Sequence, residues 1–267
     1  MTTTETSRNE PLLIERAGPI SILTFNRPDR RNALNSAMRR GLSDAMAEAS
    51  DDDEVRVIVL TGADPAFCAG LDLVELGSGR NEAERASNVG RGSIRPWRPM
   101  TKPIIGAING PAVTGGFELA LNCDFLIASD RASFADTHAR VGVMPGWGLT
   151  PLLADAVGAR RARQISLSGN YVDAGKALTW GLVNEVVPHE SLMDVVMELA
   201  IDIAENDQAG VRRMLATYSE QEDARLSQAW TIEGRAAVDF REANLYDAST
   251  VERRRQAIID RGRSQVT

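Results

Sequence analysis

Apolar residues recur along the chain in two rhythms, and the alternation between them predicts the architecture. "LLIERAGPISILTFN" holds two short apolar runs, Leu12 to Arg16 and Ile20 to Phe25, around an Ala-Gly-Pro turn, which is the pattern of a β-hairpin. From Asn35, a candidate N-cap, Met38, Leu42, Ala45, Met46 and Ala49 follow at helical spacing until the acidic run Asp51 to Glu54 ends the segment. "VRVIVLTG" reads as a buried strand, Val55 to Leu60. Farther on, "KPIIGAING", "CDFLIASD" and "ASF" read as strands, and "GGFELALN" and "GLTPLLADAVG" as helices. A polar, glycine-containing stretch over residues 80–95 has only weak helical character.

Strands alternating with helices indicate an α/β core, and the short gaps between them suggest repeated β-β-α turns instead of an open sheet. From Ala159 the pattern turns mainly helical, through "RRARQISLSG", "DAGKALTWG" and a helix from Ser191 to Glu205. The break "ENDQAG" then leads to a charged helical tail. Three parts result: a loose polar N-terminus over 1–9, a core over 10–205 and a C-terminal helical region over 206–267. The arginines of "VERRRQAIIDRGR" read as a solvated helix face, with phosphate or subunit contact as the alternative.

A chain of 267 residues can bury a substantial core. Its formal charge of -7 argues against a nucleic-acid surface as the main feature, so an anionic ligand must be met by local groups. Two cysteines, Cys68 and Cys123, are too few to staple such a fold and sit among apolar neighbours, which points to reduced thiols and a cytoplasmic setting. The polar start "MTTTETSRNEP" has no signal-peptide core, and no apolar run reaches membrane-spanning length. Neither clustered Cys/His metal ligands nor a GxxxxGK phosphate loop occurs.

In "VTGGFELAL" two glycines open a helix, so free N–H groups face whatever lies in front and a ligand can approach the backbone closely. Developing negative charge on oxygen suits such a place. Glu118 lies one turn from Gly115 on a similar face, beside the same ligand, although the helix dipole favours a first-turn glutamate in any protein. The loop "FCAGLDL" offers further N–H groups just past a strand, or is simply a surface turn. His138, one of two histidines, is either a loop residue bonded to a neighbour such as Asp136 or a proton-transfer group; spacing alone leaves both open. His189, in "VVPHESL", is assigned no chemistry.

Five segments, "LTFNRPDRRNAL", "VIVLTGADPAFCAGLDL", "KPIIGAINGPAVTGGFELALNCDFLIAS", "ASFADTHARVGVMPGWG" and "ALTWGLVNEVVP", occur in the order found in the crotonase (enoyl-CoA hydratase/isomerase) superfamily, which the chain resembles from about residue 11 to 205. The resemblance implies a crotonase-like spiral of β-β-α turns with a C-terminal helical trimerisation region, assembled as a homotrimer or dimer of trimers. It implies an oxyanion hole from the N–H groups of Leu71 and Gly115, polarising an acyl-CoA thioester carbonyl. Glu118 matches the first of the two glutamates with which hydratases hold and activate water. The second position is occupied by His138, a departure that puts the standard two-glutamate mechanism in doubt while leaving a Glu/His pair able to hold water and move a proton.

For the coenzyme A moiety, the resemblance implies a cradle from "DRRNAL" and "AGLDL", comprising Arg30, Arg31, Ala33, Ala69, Leu71, Asp72 and Leu73, with arginine suited to phosphate. Trp147 stands where the family loop usually has a small residue and, with Met144, would shape the acyl pocket. The leading expectation is hydration of a trans-2-enoyl-CoA with no cofactor, coenzyme A being part of the substrate. Another thioester reaction of the superfamily (isomerisation, decarboxylation or hydrolysis) and an acyl-CoA-binding protein without turnover remain the alternatives.

Overall fold

The computed structural model of the chain describes residues 10–78, 95–243 and 247–266. The expectations for residues 1–9 and for residues 80–94 lie outside the described residues. β1 (Leu12–Ala17) and β2 (Ile20–Phe25) form the expected antiparallel hairpin, turning at Gly18 with φ +58°. β3 (Val57–Gly62), β4 (Ile104–Ile108), β6 (Phe125–Ser129) and β9 (Glu185–Val187) then add in parallel, giving a six-stranded sheet in the order β1-β2-β3-β4-β6-β9. A second sheet, β5-β7-β8, is made by β5 (Pro111–Val113), β7 (Ser133–Ala135) and β8 (Val172–Asp173).

The helices among the described residues are α1 (Ser36–Asp51), α2 (Leu73–Gly77), α3 (Gly115–Leu121), α4 (His138–Val141), α5 (Leu149–Val157), α6 (Ala159–Ser168), α7 (Ala174–Trp180), α8 (Leu192–Glu205), α9 (Gln208–Glu242) and α10 (Ala248–Val266). β4, β5 and α3 follow one another, as do β6, β7 and α4, and each set places one strand in each sheet before a helix. These are the β-β-α turns of the spiral. They bring α3 and the start of α4 to the same side, because β5 and β7 are parallel neighbours, Pro111 to Val113 against Ser133 to Ala135.

Strand alternation divides the core. Ile58 and Leu60 of β3 face one apolar cluster with α1, while Val57 and Val59 face another with Val196 and Ala200 of α8. Both faces are therefore covered, which is why this strand is apolar at nearly every position. α1 follows its sequence signals closely: Asn35 accepts from the Met38 N–H at 2.9 Å, and Met38, Leu42, Ala45, Met46 and Ala49 are all buried.

Two boundaries differ from expectation for pairing reasons. β3 begins at Val57 because its partner β2 begins at Ile20, after the Gly18–Pro19 turn, and Val57 pairs with Ile20. β8 and β9 interrupt the supposedly helical second half; they are two and three residues long, and only their partners β7 and β6 make them strands. The C-terminal region is helical as expected, and its helices lie on this chain's own core. α9 packs on α5 and α8, and α10 packs on α2 and α4 through Val251 and Ile258 against Leu73, Leu76, Val141 and Val143.

Candidate active site

The loop carrying Leu71 is joined edge to edge with β5. The Cys68 N–H donates to Pro111 O at 3.1 Å, and the Val113 N–H donates to Cys68 O at 2.9 Å. Glycine makes the approach close enough. Gly70 has φ +84°, and a Cβ there would stand 2.7 Å from Val113 O and 3.3 Å from Gly115 N. At Gly116 a Cβ would come within 2.1 Å of Cys68 O. The start of α3 is thus seated directly on the 68–71 backbone.

Between β5 and α3 the chain turns at Thr114, a β-branched residue at φ 53° and ψ -114°, a strained conformation. It is held by the Thr114 N–H donating to Ala135 O at 2.8 Å and by a hydroxyl contact with Thr137. On the Leu71 side, Leu34 N–H donates to Gly70 O and Asp72 N–H to Leu34 O, a register that turns the intervening Leu71 N–H away from that partner. Among the described residues, the loop and cap hydrogen bonds include no acceptor for the N–H of Leu71 or Gly115.

Glu118 is 3% exposed. Its Oε1 accepts the Gly146 N–H at 3.0 Å and the Trp147 N–H at 2.7 Å, and its Oε2 lies 3.4 Å from His138 Nε2. His138 opens α4 and is equally buried; its Nδ1 is 2.6 Å from Asp136 Oδ1, which also accepts the His138 backbone N–H at 3.1 Å. Burial by itself depresses the imidazole pKa, but the flanking Glu118 and Asp136 outweigh it and raise it to about 10. The pair of carboxylates thus favours the protonated imidazole, with Nδ1 bonded to Asp136 and Nε2 facing Glu118. Asp136 is held below the usual carboxylate range: its own burial opposes this, and the bonds and charge of His138 prevail. The sequence offered a loop histidine bonded to Asp136 or a partner of Glu118, and the fold makes it both. The two side chains touch directly.

A cavity of about 300 Å³ is lined by Arg30, Arg31, Ala33, Ala69, Leu71, Asp72 and Leu73, so every residue expected to cradle coenzyme A meets there. Its wall includes Thr114 and Thr137, the residues immediately preceding Gly115 and His138, so the cavity reaches the edge of the buried pair. Arg31 and Asn32 both adopt positive φ, 49° and 57°, and the buried Asn32 side chain ties this turn to Ala63 O and Ala66 O at 2.7 and 2.6 Å. Asp72 is already engaged, capping α2 through the Val74 N–H at 3.0 Å and pairing with Arg27 at 3.0 Å. Part of the remaining wall is Tyr171 with Arg255, Ile258, Ile259 and Arg263 of α10, which the sequence indicated only through the alternative of phosphate contact by the tail arginines.

Met144 and Trp147, expected around the acyl group, are not part of this lining. Met144 is 38% exposed. Trp147 is packed against the core, with Cζ3 3.6 Å from where a Gly115 Cβ would stand, so its ring covers one side of the helix start. Cys68 is fully buried and its thiol is pushed up to about 12 by that burial, an inert group despite its place beside the loop. Among the described residues no group of three or more His, Cys, Asp and Glu side chains could hold a metal ion, and no helix is long and apolar enough to cross a membrane.

Comparison with known proteins adds to this geometry. The family profile described as "Enoyl-CoA hydratase/isomerase" matches residues 15–254. A probable peroxisomal enoyl-CoA hydratase of Arabidopsis thaliana is 37% identical over 227 residues, covering 82% of each chain. A crotonyl-CoA hydratase of Syntrophomonas wolfei is 34% identical over 229 residues, covering 85% of this chain and 88% of its own length. A crystal structure of an enoyl-CoA hydratase from Mycobacterium avium superposes with a TM-score of 0.80 at 47% identity, covering 88% of this chain and 99% of that one. With five ordered sequence segments, the two-sheet spiral and a profile match over most of its length, this chain belongs to the enoyl-CoA hydratase/isomerase family.

Proposed function

We propose that this protein is an enoyl-CoA hydratase that adds water across the Cα=Cβ bond of a trans-2-enoyl-CoA. The relatives at 34% to 37% identity that carry hydratase names support the activity. The observation that carries the mechanism is the division of labour at Glu118: two backbone N–H groups anchor one carboxylate oxygen, and the other meets His138.

The thioester oxygen lies between the Leu71 and Gly115 N–H groups, which bind the negative charge of the enolate and contribute about 3 to 4 kcal/mol each to the transition state. Glu118 Oε2 takes a proton from water as the water oxygen bonds to Cβ. The imidazolium of His138 delivers its Nε2 proton to Cα, completing the addition of one hydroxyl and one hydrogen. The proton on Glu118 then crosses to His138 Nε2, an exchange for which their 3.4 Å separation is suited, and the pair is reset. A histidine here thus supplies the acid that a second carboxylate supplies in the usual arrangement.

Arg30 and Arg31 meet the coenzyme A phosphates, Trp147 bounds the acyl group on the Gly115 side, and no cofactor beyond the substrate's own coenzyme A is needed. The chain assembles as a trimer or a dimer of trimers through exposed apolar residues of α9 such as Met214 and Tyr218. The test is the loss of the conjugated enoyl-thioester absorbance when purified protein meets crotonyl-CoA and longer trans-2-enoyl-CoA substrates. Tight binding of these thioesters without hydration of any would leave an acyl-CoA-binding protein in place of an enzyme.

A further inference from the structure

Four of the five residues 146–150 are held by two glutamates from distant parts of the chain. Glu118 takes the Gly146 and Trp147 N–H groups. Glu233 of α9 takes the next donors: the Gly148 N–H on Oε1 at 2.7 Å, and the Thr150 N–H and hydroxyl on Oε2, both at 2.6 Å. Gly148 is the N-cap of α5 and has no side chain to cap with, so Glu233 serves that helix end from outside.

Packing reinforces the grip. Trp230, one turn earlier on α9 and 3% exposed, lies so close over Gly148 that a Cβ there would be 1.9 Å from its ring. On the other side of Trp147, by contrast, a Cβ on Gly146 would meet nothing within 4 Å. The Trp147 carbonyl also accepts from Asn122 Nδ2 at 2.8 Å, so the donors that hold Glu118 are placed from two sides, by Asn122 at the C-terminal end of α3 and by the anchor at 148–150. Glu233 itself is 4% exposed and has no ion-pair partner among the described residues, an unfavourable setting for a carboxylate that three well-made hydrogen bonds offset.

We propose that Glu233 is a positioning residue for hydration: through the 146–150 segment it keeps the Gly146 and Trp147 N–H groups on Glu118 Oε1, so that Oε2 faces His138 and the attacking water. The proposal rests on the reading of Glu118 as the base. Glu233 touches neither His138 nor the cavity lining; it acts through the segment it anchors, and its charge is also felt at Glu118, which Thr150→Ala leaves in place.

The test is a double-mutant cycle with Glu233→Gln, Glu118→Gln and the double variant, assayed on crotonyl-CoA. An amide in place of Glu233 turns a donor toward one of its backbone partners and loosens the anchor. Glu233→Gln is expected to lower kcat by about ten- to a hundredfold with KM within about threefold, and to change the residual rate of Glu118→Gln by less than about twofold. Thr150→Ala removes one of the three bonds; it is expected to cost about threefold, again only when Glu118 is present. If Glu233→Gln does not fold by circular dichroism, the Thr150→Ala cycle decides. A second readout needs no turnover: the backbone amide signals of Gly146 and Trp147, identified by their response to Glu118→Gln, should shift in Thr150→Ala, which leaves the charge of Glu233 in place. Unmoved amide signals, a wild-type kcat, or the same loss with and without Glu118 would overturn the proposal. A wild type that hydrates no enoyl-CoA would instead overturn the hydratase reading, and the amide signals would still decide the role of Glu233.

Discussion

The two histidines of this chain sit in surroundings that look alike on paper and differ in depth. His189 is held between the Ser129 hydroxyl, 3.0 Å from Nδ1, and Asp64, 3.0 Å from Nε2. His138 is held between Asp136 and Glu118. The order Ser129–His189–Asp64 resembles a hydrolytic triad, but the serine is fully buried and the aspartate side chain is 60% exposed, the reverse of what a nucleophile and its orienting acid require. It joins the end of β6 to the loops after β3 and β9. At His138 both carboxylates are buried with the ring, so their charges act with little screening and hold a proton there. The lesson is that a histidine's partners matter less than the solvent around them.

Substitutions sharpen that contrast in descending order. Glu118→Gln removes the base while its amide oxygen can still accept from Gly146 and Trp147; turnover should fall about a thousandfold while acyl-CoA binding, measured by calorimetry, is retained. Gly115→Pro deletes an oxyanion donor, and its ring crowds the already strained Thr114; a loss of about a hundredfold or more in kcat is expected. A rate within a few-fold of wild type would move the thioester oxygen elsewhere.

His138→Ala should cost about a hundredfold and abolish the alkaline limb of the pH-rate profile, which in the wild type falls as the imidazolium loses its proton near pH 10. A wild-type rate with an unchanged profile would reduce His138 to a structural residue. The same shift bears on stability. Because the folded state raises the pKa from 6.5 to about 10, the contribution of His138 is fully present below pH 6.5 and is lost as the pH rises through about 10. Denaturant unfolding of wild type and His138→Gln should therefore converge toward alkaline pH. His189→Ala closes the series: activity within about twofold, with about 1 kcal/mol of stability lost as its two hydrogen bonds disappear. A large loss of turnover there would dissolve the distinction between the two sites.

Much of this organisation could be read from local pattern. The buried stripe of α1 and its Asn35 cap, the hairpin of β1 and β2, and the glycines that let the Leu71 loop and α3 meet are consequences of spacing and residue size within short windows. The order of the five family segments located Glu118, His138, Leu71, Gly115 and the cradle that the cavity reunites. What escaped was set by long-range pairing. β8 and β9 are strands only because β7 and β6 lie beside them, and α10 forms part of the cavity wall because Val251 and Ile258 reach the apolar patch of α2 and α4.

The sequence by itself determined where helices start and where backbones can approach closely, since periodicity and glycine placement are local properties of the chain, and the resemblance carried by its ordered segments named the residues expected to meet an acyl thioester. Only the tertiary structure decided that Glu118 and His138 touch, and that a glutamate 85 residues beyond Gly148 caps the segment leading back to them. Those contacts join parts of the chain that no short window contains, and their strength comes from the burial that packing alone creates.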